Sequence, residues 1–125
     1  MESETGSLTI KYRDSYYSLF FAQNGWLAAE LLQYLDDVIT AADPGVAILK
    51  LLGYTMTIAR ESPPRRADHW VEVDLAGHEL TTNSPLVHQA VDQQPVKEGQ
   101  PYGALALKRI YRVLDQHDFT VRFRR

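Results

Sequence analysis

The segment 16–21, Tyr-Tyr-Ser-Leu-Phe-Phe, constrains the fold most, because it is apolar on both sides of the strand that it predicts. Aromatic residues favour strands, and the segment 8–12 predicts a partner strand across a polar turn. A thin two-layer domain covers one face of such a hairpin and leaves the other exposed. We therefore expect the nearby aromatic side chains to form an interface with a second copy or a partner, with packing in the core alone as the alternative: Tyr16, Tyr17, Phe20, Phe21 and Trp26.

The rest of the chain alternates between helical and strand periods. Leucines recur at three- and four-residue steps over 26–41, which predicts an amphipathic helix. Asp43-Pro44 should begin a second helix over 44–52, ending at Gly53. The segment 54–60 predicts a strand, with a continued helix as the alternative. The other expected elements are strands over 69–75, 78–83 and 118–124, a helical turn over 85–91 and a helix over 104–116.

These elements predict one α+β domain over 8–125, in which two to four helices pack on one face of a mostly antiparallel sheet of five or six strands. Residues 1–7 are polar, and we expect them to be flexible. The acidic N-terminus lacks a signal layout and no apolar run could span a bilayer, so we expect a cytoplasmic protein without membrane contact.

Composition excludes several kinds of site. The absence of cysteine removes disulfides, thiol nucleophiles and thiolate metal sites. An excess of carboxylates, 16 against 13 lysines and arginines, disfavours binding to duplex nucleic acid. The four histidines lack metal-ligand spacing. Ser84 precedes Pro85 and is expected to cap a helix, which leaves a histidine base without a nucleophile.

A two-residue turn after the strand 69–75 sets the register of the next strand and places three carboxylates on one face: Glu72, Asp74 and Glu79. Like charges opposite each other in a sheet are unfavourable unless something compensates them. Arg122 and Arg124 would do so if the terminal strand pairs beside 69–75. A partner protein or a divalent cation would also do so, which makes the three carboxylates weak metal-site candidates.

Positive charge is concentrated near the C-terminus, where the last 18 residues hold six cations and two carboxylates. Arginine predominates, which favours bidentate contacts with phosphate or carboxylate. Tryptophan beside arginine could hold a nucleotide by stacking and phosphate pairing. The alternative is a solvated helix face with internal ion pairs, such as Arg112 with Asp115. The candidate ligand-binding residues are Arg65, Arg66, Trp70, Arg109 and Arg112.

Two short strings resemble small uncharacterised phage and prophage proteins. In that group a hairpin runs into an Asp-Gly-Tyr-Pro turn, then a Leu-rich helix, and later a strand of the Tyr-Glu-Ile-Asp-Leu type. The turn here reads Asn24-Gly25-Trp26-Leu27, and the later strand contains Trp70-Val71-Glu72-Val73-Asp74-Leu75. The resemblance implies a phage-borne or accessory protein and implies no activity or site residue.

The sequence therefore predicts a non-catalytic, homo-oligomeric binding protein without a cofactor, which engages a protein partner or a small anionic ligand. One alternative is a phage-type accessory protein that sequesters a nucleotide signal. The other is a small metal-dependent hydrolase built on the acidic strand face.

Overall fold

The computed structural model describes residues 4–124, and its N-terminal part is the expected hairpin. Strands β1 (Gly6–Tyr12) and β2 (Ser15–Phe21) pair antiparallel, with Leu8 opposite Leu19. Strand β1 begins two residues before the expected start at Leu8. The Asp68 carboxylate accepts hydrogen bonds from the Thr5 backbone nitrogen and Oγ1, both at 3.0 Å. Residues 4–7 thus belong to the folded structure, and the rest of the expected flexible segment lies outside the described residues.

The Leu-rich segment is helical but not one continuous α-helix. It comprises α1 (Leu27–Glu30), a 3₁₀ turn (Leu31–Tyr34) and α2 (Leu35–Ile39). The second helix, α3 (Pro44–Leu52), begins as predicted, because the Asp43 carboxylate accepts a hydrogen bond from the Val46 nitrogen at 3.3 Å. It ends at Gly53, whose φ of 79° favours glycine.

The remaining strands are β3 (Thr57–Ala59), β4 (His69–Asp74), β5 (Glu79–Thr82) and β6 (Thr120–Phe123). They complete a six-stranded sheet of order β3-β2-β1-β4-β5-β6. The pairs β1–β4 and β5–β6 are parallel, so the prediction of a mostly antiparallel sheet is wrong and the sheet is mixed. The physical reason is that two helices separate β5 from β6, and that β2, the Leu-rich segment, α3 and β3 separate β1 from β4. Such long connections allow neighbouring strands to run parallel.

The helices, including α4 (Pro85–Val91) and α5 (Ala104–Gln116), cover one face of the sheet, as predicted. Leu8, Ile10 and Val73 point into this core. The opposite face carries polar side chains together with Tyr16, Phe20 and Trp70, and it lies partly under the loop 60–68. The expected capping role of Ser84 is wrong, because its side chain makes no capping hydrogen bond. Within residues 4–124, no helix is both long enough and apolar enough to cross a membrane.

Candidate functional site

The five predicted ligand-binding residues do not form one site, because the sheet separates them. Trp70 is 4% exposed but lies outside the apolar core, on the face opposite the helices. The Arg66 guanidinium lies over its indole ring, 3.8 Å from the ring centroid. Arg109 and Arg112 are on α5 in the helical layer, where Arg109 Nη1 donates to Gln33 Oε1 at 3.4 Å. The exposed Arg65 belongs to the loop on the Trp70 side.

Arg66 is engaged within the protein. Its Nε donates to Glu72 Oε2 at 2.8 Å, and its Nη2 donates to Glu72 Oε1 at 3.0 Å. These hydrogen bonds raise the pKa of the Arg66 guanidinium. The bidentate pair and the stack on Trp70 together hold the loop 60–68 against the polar face. An anion or a nucleobase would have to displace one of these contacts.

The acidic face has the predicted register, with Asp74 opposite Glu79. Each carboxylate has its own partner: Glu72 pairs with Arg66, Asp74 accepts from the Gly77 nitrogen at 3.1 Å, and Glu79 Oε2 lies 3.6 Å from Arg122 Nη2. Strand β6 supplies Arg122 from beside β5 rather than beside β4. In the part of the chain that the structure describes, no group of three or more His, Asp or Glu side chains could hold a metal ion.

The predicted aromatic interface is also divided. Tyr17 and Phe21 face the helices and pack against the core, while Tyr16 and Phe20 point to the opposite face. Trp26 packs against Tyr102, with ring centroids 6.1 Å apart. Ser18 lies on the same face of β2 as Tyr16 and Phe20, and its hydroxyl is hydrogen-bonded to that of Thr9. Phe20, at 61% exposure, is the member of this set that is largely open to solvent.

A groove between the loop 92–96 and helix α5 combines apolar walls with positive charge. Its volume is about 560 Å³, within the range of about 300–1,000 Å³ typical of ligand pockets. Lys108 and Arg112 line it together with Asp115. Among residues 4–124, neither cation lies within 4.0 Å of a carboxylate oxygen, so the suggested Arg112–Asp115 ion pair is not formed. The apolar lining is Ala90, Pro95, Val96, Ala104, Leu107 and Tyr111.

A buried hydrogen-bond network fixes the loop that forms one wall of this groove. Gln89 Nε2 donates to the Pro95 carbonyl at 2.7 Å, and Gln89 Oε1 accepts from Gln100 Nε2 and Tyr102 OH, both at 2.9 Å. Gln100 Oε1 also accepts from the Lys97 backbone nitrogen at 2.8 Å. Burial raises the pKa of the Tyr102 phenol. Because these polar atoms satisfy one another, the groove wall is preorganised.

The sequence indicated Arg112 but missed the groove around it. Residues 92–101 gave no periodic signal, and the wall depends on Gln89 and Gln100, which form no recognisable motif. Lys108 and Tyr111, one charged and one aromatic, both line the groove. No known family, curated protein or solved structure matches this chain, so the candidate site is defined by its geometry.

Proposed function

We propose that the chain is a binding protein whose ligand is a small amphipathic anion, held in the groove between the loop 92–96 and α5. The supporting observation is an apolar groove that also presents two cations, Lys108 and Arg112, without carboxylate partners among the described residues. Removing the apolar part of a ligand from water contributes roughly 25 cal/mol per Å². The Arg112 guanidinium would then orient a carboxylate or phosphate group by bidentate hydrogen bonds.

The charge of the groove favours a ligand with few negative charges. Asp115 lines the same groove as the two cations, so a multiply charged phosphate would meet repulsion as well as attraction. The stack of Arg66 on Trp70 also leaves the indole face covered, which removes the expected platform for a base. Both features favour a monoanion with an apolar body over the nucleotide alternative.

The test is a thermal-shift titration with octanoate, using octanol as the neutral probe of matched length. Octanoate should raise the melting temperature by mass action on the folded state, and octanol should raise it less. Arg112→Ala should remove most of the difference between the two probes. Arg109→Ala is the matched control, because Arg109 lies on the same helix but outside the groove lining. No shift with millimolar octanoate, or an equal loss in both variants, would refute the proposal.

Self-association remains a prediction. The expectation depends on an aromatic hairpin too large for one layer to cover, yet most of those rings have neighbours within the chain. Phe20 keeps a large exposed surface on the face opposite the helices, whereas the exposed Ile58 is paired with Tyr17 and lies on the other face. Light scattering at tens of micromolar tests it: a dimer that Phe20→Ser dissociates would support self-association, and a monomeric wild type would exclude it.

A further inference from the structure

Helix α3 is apolar on the side that faces solvent as well as on the side that faces the core. Its nine residues include one charged side chain, that of Lys50. Ile48 and Leu52 are buried, whereas Val46 and Leu49 on the outer side are each 47% exposed. Helix α5, by contrast, carries four charged side chains among thirteen residues. Because a helix that is apolar all round is normally covered on all sides, the outer side of α3 is a candidate contact surface.

The outer side of α3 belongs to a larger apolar patch. The described residues include eight large apolar side chains that are 42% or more exposed, and five of these lie between positions 34 and 58. These five side chains form the α3 patch: Tyr34, Val46, Leu49, Tyr54 and Ile58. Tyr34 and Val46 line one groove of about 570 Å³ between α2 and α3. Ile58 is on the helical side of the sheet, because it is paired with Tyr17. Exposed apolar side chains grouped in this way mark an interaction surface.

Charged side chains lie at the two ends of α3 and line the same groove. Asp43 immediately precedes the helix, and Lys50 is in its last turn. The two residues are seven positions apart, which corresponds to about 10 Å along a helix. Among residues 4–124, neither side chain lies within 4.0 Å of an opposite charge. Both charges are therefore available to a partner that contacts the groove.

The positions of these charges make the surface self-complementary. Asp43 and Lys50 are equally distant from the point between Val46 and Ala47. If a two-fold axis passes through that point, two α3 helices pack antiparallel and Lys50 of each copy lies beside Asp43 of the other. The same arrangement covers the exposed Val46 and Leu49 of both copies. A two-fold dimer requires a surface that complements itself in this way.

We propose that a second copy of this chain covers the α3 patch, with the two α3 helices antiparallel. The inference rests on the self-association prediction, to which it assigns a surface, and does not depend on ligand binding in the groove beside α5. An anionic lipid surface fits less well, since Asp37 and Asp43 line the groove with its single cation. A different protein would have to supply the opposite charges that the second copy already carries.

The apolar contact is tested by light scattering at tens of micromolar, where the wild type should be a dimer. Leu49→Glu should raise the dissociation constant roughly tenfold or more, because each dimer would bury two charges in place of two leucines. Leu105→Glu is the matched control, since Leu105 is also a leucine exposed on a helix and lies on α5, outside the α3 patch. It should leave the dissociation constant unchanged. Circular dichroism establishes that each variant is folded.

The antiparallel arrangement is tested by combining Asp43→Asn with Lys50→Glu. Asparagine retains a cap for α3 but removes the charge. Asp43→Asn should weaken the wild-type dimer, because it removes the attraction to Lys50 of the other copy. In the Lys50→Glu background it should strengthen the dimer, because there it removes a repulsion. A change in helix capping alone would act in the same direction in both backgrounds.

Dissociation by Leu49→Glu together with this reversal of sign supports the proposal. A monomeric wild type would overturn it, whether or not the α3 patch then binds lipid vesicles or another protein. A dimer that Leu49→Glu leaves intact would also overturn it, and dissociation by Phe20→Ser would then assign the contact to the opposite face of the sheet. An effect of Asp43→Asn in the same direction in both backgrounds would overturn the antiparallel arrangement. None of these results affects the octanoate test, which depends on Arg112.

Discussion

Replacing Arg66 with alanine tests whether this arginine is a structural clamp rather than a ligand contact. The substitution removes the stack on Trp70 and the bidentate pair with Glu72. A cation–π contact at a partly exposed site contributes about 0.5–1 kcal/mol, and an exposed ion pair about 0.2–1 kcal/mol. We therefore expect Arg66→Ala to lower the free energy of unfolding by about 1–2 kcal/mol. With a urea m-value of about 2 kcal/mol/M, the middle of the range for small proteins, the midpoint should fall by roughly 0.5–1 M.

The assay is urea unfolding followed by tryptophan fluorescence in a Trp26→Phe background, so that Trp70 is the only reporter. Emission of the native Arg66→Ala protein should move to longer wavelength, because the indole loses its cover. Arg65→Ala is the matched control at an exposed neighbour, and Arg66→Lys should restore only part of the stability because it lacks the planar fork. Equal midpoints for Arg66→Ala and Arg65→Ala, with unchanged emission, would refute the clamp.

Three further predictions concern single residues. Ser84→Ala should leave the free energy of unfolding unchanged or raise it, since the buried Oγ makes no hydrogen bond. A decrease in that free energy of about 1 kcal/mol, measured by urea unfolding and typical of the removal of a capping serine, would contradict this prediction. Gly25→Ala should lower the free energy of unfolding by about 3 kcal/mol or more, because its Cβ would overlap the Thr5 carbonyl oxygen. Gly103→Ala, whose Cβ meets nothing within 4 Å, is the control, and similar urea midpoints for the two variants would count against the close approach. Hydrogen bonds from Thr5 lower the pKa of Asp68 from 3.8, so the contribution of this carboxylate to stability is present above pH 3.8 and is lost as the pH falls through the lowered value. The melting temperature of Asp68→Asn should therefore depend less on pH in this acid range than that of the wild type. Equal pH dependence of the two melting temperatures would exclude the linkage.

Local features of the fold followed directly from the sequence. The Ala76-Gly77 turn fixes which residues of β4 and β5 oppose each other, and the observed pairing of Val73 with Leu80 is the expected one. Asp43 caps α3 as its position before proline indicated. The parallel orientation of the pairs β1–β4 and β5–β6 was not predictable in this way, because it depends on the packing of the long connections between these strands and not on a local pattern.

The sequence contained part of the information about the sites. Strand alternation alone places Trp70 on the same face as Glu72 and away from the core, so its separation from Arg112 on α5 could have been predicted. The groove could not have been predicted from the sequence, because one of its walls is an irregular segment that is held in place by hydrogen bonds from Gln89 and Gln100. The missing hydrogen-bond partner of the Ser84 hydroxyl is visible only in three dimensions.

The most direct test of the proposed function is an NMR titration of the ¹⁵N-labelled protein with octanoate. Saturable shifts should be concentrated in the loop 92–96 and in α5 around Lys108 and Arg112, and the Arg66 and Phe20 regions should remain unchanged. Shifts distributed over the exposed edge near Phe20, or no saturable shift at millimolar octanoate, would contradict binding in this groove.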